Sequence, residues 1–127
     1  FVKFKRSMLW KERFDIEFLD FDHMKKCEEL MRKAKVASSE KDWHATLFIL
    51  SSPLLAKKCS KYVKSRKILF PELMEAAGPW SSSEKALVKL AAALFNSSWK
   101  VDINDAFWSL DINNTNLAIE ALKIRFQ

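Results

Sequence analysis

Four side chains in this sequence are of the types that hold a soft metal ion: His23, Cys27, His44 and Cys59. His23 and Cys27 are four residues apart and would share one helix face, so a tetrahedral Cys2His2 zinc site is conceivable. The usual signature, two close cysteines followed by two close histidines, is absent, and Cys27 falls on the apolar stripe of its segment. Buried free cysteines are therefore expected, and no metal is assigned. The histidines are also the natural general bases near neutral pH, and His23 adjoins Asp20 and Asp22 in FLDFDH. Those carboxylates serve better as helix N-caps, and no serine or cysteine sits in a nucleophile motif. No catalytic residue and no cofactor follow; an enzyme working through His23 or His44 ranks third among the readings. Asp102, Asp105 and Asp111 could be drawn around magnesium, but without an EF-hand glycine or substrate phosphates they are read as caps at helix starts.

The strongest candidate site is KKCSKYVKSRK, residues 57–67, with Lys57, Lys58, Lys61, Lys64, Arg66 and Lys67 and no acid. The chain has a formal net charge of +6 and a pI of about 9.4, so these six cations equal the whole excess. Read as a helix opened by Pro53 after Ser52, the segment places Lys57, Lys61 and Lys64 within about 60° of one another, with Leu55, Cys59, Tyr62 and Val63 opposite. A solvated helix face normally interleaves acids, and here none appears. The counterpart is either an acidic protein surface or nucleic acid, with the N-terminal residues, which carry five more cations by position 13, as a second contact. Lysines attract phosphate without regard to sequence, but no helix carries Arg, Asn or Gln poised to read bases. Protein binding is therefore the first reading and non-specific nucleic-acid binding the alternative; the oligomeric state stays open, a homodimer included.

The elements that must position these residues are helical. Gly78 is the only glycine. Its solitude removes the phosphate-binding and nucleotide-binding glycine loops, the nucleophile elbow, and most tight hairpins. The 127 residues, 49% hydrophobic and 13% aromatic, suffice for one domain, 1–127, with a single core. Residues 22–36 carry Met24, Cys27, Met31 and Ala34 at helical spacing, capped by Asp20 or Asp22. Ser38 or Ser39 is expected to cap a second helix that is apolar through 47–50. Pro71 opens a short helix closed by Gly78 and Pro79, and Ser81 with Glu84 has capping-box spacing for the next. Its body, residues 86–95, holds three successive alanines and is expected to be the central helix, with the C-terminal helix against it. Asp102 or Asn104 caps a short segment, and Asn113, Asn114 or Thr115 caps the last helix. The fold class is thus an all-α bundle of five to six helices, with residues 1–19 as an extended arm or short strand through Phe14, Ile16 and Phe18. Trp10, Trp80 and Trp99 flank helices, so one or two of them could reach solvent, while most of the tryptophans are expected in the core. The longest uncharged run, residues 43–56, is too short and polar to span a bilayer. Two cysteines suit a reducing, cytoplasmic setting.

The stretches FLDFDH (18–23), HATLFILS (44–51), LVKLAAALFN (87–96) and DAFWSLDINNTNLAIEALKIRF (105–126) resemble, in order and spacing, a family of small proteins of unknown function from Firmicute bacteria and their phages or prophages. The resemblance spans about two-thirds of the chain and leaves out the basic segment and residues 1–17. It implies an intracellular protein, no known chemistry, and by association a host-takeover or defence-modulating role.

Overall fold

The computed structural model describes residues 2–4, in their backbone, and residues 16–127. The elements run β1 (Val2–Phe4), β2 (Ile16–Phe18), α1 (Phe21–Ala34), α2 (Lys41–Leu50), α3 (Ala56–Cys59), a 3₁₀ turn (Ser60–Tyr62), β3 (Val63–Lys64), β4 (Lys67–Ile68), α4 (Phe70–Ala76), α5 (Ser82–Phe95), α6 (Ile103–Phe107) and α7 (Ile112–Phe126). The fold is mostly helical, as expected, with two small antiparallel ribbons added, β1 with β2 and β3 with β4.

The axis is α2, and the placement of residues 86–95 at the centre is corrected. Every side chain from Trp43 to Leu50 is buried, because α2 carries no charge beyond Asp42 and can be enclosed on all sides. Helix α5 keeps Lys89 in solvent and packs its other face on α2, where Thr46 Oγ donates to Ala91 O at 3.0 Å. The alanines there let the two backbones approach closely. The Trp43 and Phe95 rings meet edge-on, 4.8 Å between centroids, so α5 runs antiparallel to α2. Helix α7 also packs chiefly on α2. Arg125 Nε donates to Leu94 O at the shared C-terminal end of α5 and α7, and Ser83 Oγ to Ser109 O at the N-terminal end. Helices α1, α5 and α7 therefore begin together, beside the C-terminus of α2.

The caps obey simple chemistry. Asp20 accepts from His23 N, Ser81 and Glu84 complete both halves of the capping box, and Asp102 accepts from Asn104 N and Asp105 N. Helix α7 begins directly after Asp111, one of the acids read as a cap, which accepts from Asn114 N and takes the place of the other candidates Asn113, Asn114 and Thr115. The cap expected at Ser38 or Ser39 is revised: α2 begins after Glu40 with no side-chain cap, and Glu40 turns back to accept from Ala37 N. Gly78 ends α4 where expected, but without a positive φ. Part of the expected arm is core: Ile16 and Phe18 are buried, and Glu17 N donates to Glu120 Oε2. Phe14 and Trp10 lie outside the described residues.

Candidate binding surface

Residues 57–67 do not form one helix. After Pro53 the chain makes turns, a single helical turn (α3), the 3₁₀ turn, and then the β3–β4 hairpin with Ser65 and Arg66 at its tip. Local preference and packing both break the helix. Like charges at Lys57 and Lys61 oppose helix, Tyr62 and Val63 favour strand, and the β path lets Val63 and Ile68 reach the core. The apolar side is as read from the sequence: Leu55, Cys59 and Val63 are buried and Tyr62 is half-buried.

The hairpin and the turns before it form a ridge clamped along α1. Lys33 Nζ donates to Ser60 O at 2.7 Å, and Arg66 N donates to Ala34 O at 2.9 Å. Arg66 has φ 56°, in the left-handed region that glycine or asparagine usually fills, at a cost of about 1–2 kcal/mol. Its side chain offsets the strain. The guanidinium reaches Glu40, with 2.8 Å from Nη1 to Oε1, and lies 5.7 Å from the Trp43 ring centre. Accepting from Ala37 N and from Arg66 holds the Glu40 carboxyl below the usual range.

The six cations are thereby divided. Lys58 is committed to Glu84 at 2.5 Å, beside the Trp80 ring, and Arg66 to Glu40. Lys61 lies over its neighbour Tyr62. Lys57, Lys64 and Lys67 are exposed, and their side chains make no hydrogen bond or ion pair to any described residue. A cleft of about 240 Å³ between α1 and α3 passes beside Lys57, Lys26 and Glu29.

The chemistry-bearing residues read from the sequence lie elsewhere. His23 is sealed in the core, its Nδ1 accepting from Leu19 N at 3.1 Å and its Nε2 2.8 Å from Phe48 O. That geometry requires the neutral imidazole with its proton on Nε2, and burial pushes the pKa down. His44 is buried within α2. Burial pushes the Cys59 thiol up to about 12, which makes it inert, and Cys27 is buried too. Among the described residues no three of His, Cys, Asp and Glu gather so as to hold a metal ion, and no helix is long and apolar enough to cross a membrane.

A second surface was missed in the sequence. Trp80 and Trp99 are half-buried against the core, whereas Trp108, at the end of the five-residue α6, is 83% exposed. Ile103 and Ile112 flank it, also in solvent. The only sequence signal was the brevity of the segment between Asp102 and Asp111, which leaves one side of so short a helix uncovered. No protein-family model matches the chain, and no curated protein or solved structure matches it significantly.

Proposed function

We propose that this protein is a non-enzymatic binding module of the cytoplasm that grips an acidic protein surface with the ridge of residues 57–67. The carrying observation is the division of its cations. Lys58 and Arg66 fix the ridge to α5 and α2, while Lys57, Lys61, Lys64 and Lys67 are presented to solvent on a scaffold already ordered. A backbone already ordered adds no further backbone entropy cost on binding, and a set of like charges steers association with an oppositely charged partner. The lysines are point charges suited to carboxylates on a protein face. No arginine fork is left free in the ridge for reading bases, since Arg66 is engaged by Glu40. The resemblance to Firmicute and phage proteins supports a partner in such a host.

The test replaces Lys57, Lys61, Lys64 and Lys67 with Glu while leaving Lys58 and Arg66 in place. Wild type is expected to retain an acidic protein from a Firmicute lysate, identified by mass spectrometry and re-bound in purified form, and the quadruple variant to lose it with its circular dichroism unchanged. Retention by the variant would sink the reading. If the parent instead binds DNA and RNA with affinity falling steeply from about 50 to 200 mM salt, nucleic acid is the partner.

A further inference from the structure

The cleft of about 240 Å³ between α1 and α3 has an apolar floor and a mostly cationic rim. Leu30 and Ala56, both buried, form the floor. Lys26 stands on the α1 wall and Lys57 on the α3 wall, and Glu29 is the acid among the lining residues. The side chains of Lys26, Lys57 and Glu29 make no hydrogen bond or ion pair to any described residue. The two walls are tied together at Ser60, which lines the cleft and whose carbonyl accepts from Lys33 Nζ of α1 at 2.7 Å. The shape of the cleft is therefore set before anything enters it.

Charge separates this cleft from two larger ones. About 440 Å³ opens beside Asp20 and Asp111 and about 470 Å³ beside Glu72 and Glu75, and neither is lined by a Lys or Arg. An acidic partner is repelled there and attracted here. Lys57 belongs to the ridge as well, so the cleft is continuous with the surface already assigned to that partner. Size narrows the occupant further. An apolar cavity of about 150 Å³ holds benzene, so this space admits one phenyl or branched aliphatic side chain. A bare carboxylate would leave the apolar floor uncovered, and an apolar side chain without acids beside it would make no use of Lys26 and Lys57.

We propose that this cleft anchors the acidic partner by taking one aromatic or branched aliphatic side chain from it, with carboxylates on either side of that side chain reaching Lys26 and Lys57. The proposal rests on the reading of the ridge as a binder of an acidic protein surface and specifies what that surface presents, an apolar residue between acids. The test is a heteronuclear NMR titration of the isotope-labelled full chain with three end-blocked peptides at millimolar concentration: Glu-Glu-Phe-Glu-Glu, Glu-Glu-Ala-Glu-Glu and Gln-Gln-Phe-Gln-Gln. With the first, amide shifts are expected to centre on residues 26–30 and 56–60, and replacing its Phe by Ala or its acids by Gln raises the dissociation constant about tenfold or more. Lys57→Glu weakens the first peptide about fivefold and Glu29→Gln, which removes a like charge from the rim, tightens it about twofold. Glu28→Gln, the same change of charge but turned about 100° around α1, has the smaller effect. No binding of the first peptide, equal binding of the Phe and Ala peptides, or shifts centred elsewhere would overturn the proposal. The ridge reading is then decided separately by the Lys57, Lys61, Lys64, Lys67 to Glu variant: loss of the purified acidic protein keeps it, and retention removes it as well.

Discussion

Arg66 and Glu40, 26 positions apart, are joined by an ion pair that ties the tip of the β3–β4 hairpin to the residue before α2. The contact makes Arg66, read from the sequence as a site residue, a structural clamp. It also lets a left-handed backbone position be held by a residue that disfavours it.

Arg66→Ala is expected to lower stability modestly, because it removes a half-exposed ion pair and the contact over Trp43 while keeping the φ strain. Arg66→Gly loses the same contacts but relieves the strain, so it should be less harmful by about 1 kcal/mol. Urea unfolding of the three proteins checks the order; an alanine variant as stable as the glycine one would contradict it.

Glu84 serves two masters, accepting from Ser81 N in the α5 capping box and from Lys58 Nζ. The Lys58 ammonium holds its carboxyl below the usual range. Glu84→Ala should cost about 1–2 kcal/mol, and Lys58→Ala, whose side chain is 44% exposed, about 0.5–1 kcal/mol. In the Glu84→Ala background Lys58→Ala should cost little, a coupling that a double-mutant cycle measures directly.

His23 makes stability depend on pH. Its folded pKa is depressed by burial, so below about pH 6.5 the unfolded chain binds a proton that the folded core refuses, and stability falls as pH falls. The folded protein would have to set an Nδ1–H against Leu19 N–H to be protonated in place. Denaturation between pH 7.5 and 5.5 should show wild type losing up to about 1.4 kcal/mol per pH unit. His23→Gln, less stable at pH 7.5, should lose distinctly less over the same interval; equal slopes would show that other groups carry the effect.

Cys59 should resist alkylation in the native state, since a fully buried thiol with its pKa pushed up to about 12 offers almost no thiolate at neutral pH. With excess iodoacetamide the labelling rate should follow unfolding and rise in step with urea. Fast labelling of Cys59 in buffer, located by peptide mass mapping, would contradict this burial.

The helical class, a start of α1 capped by Asp20 or Asp22, the capping box at Ser81 and Glu84, and the burial of Cys27 and Cys59 were legible in the sequence. Each depends on spacing and capping within a few residues, where the chain carries its own information. The identity of the central helix was not legible. The alanine-rich run 86–95 and the run 43–50 are both apolar, and which one the others surround depends on where Lys89 must find water. The break in KKCSKYVKSRK was not legible either, because its helical pattern and its hairpin bury nearly the same residues.

Sequence by itself determined that this protein is an all-α fold whose charge excess lies in one segment, since periodicity and charge are properties of local order. Only the tertiary structure decided which of those charges are free. Lys58 and Arg66 found acids 26 positions away, and Trp108 was left in solvent because α6 is too short to be covered. Partners so distant in the chain are chosen by how helices pack, which no local pattern encodes.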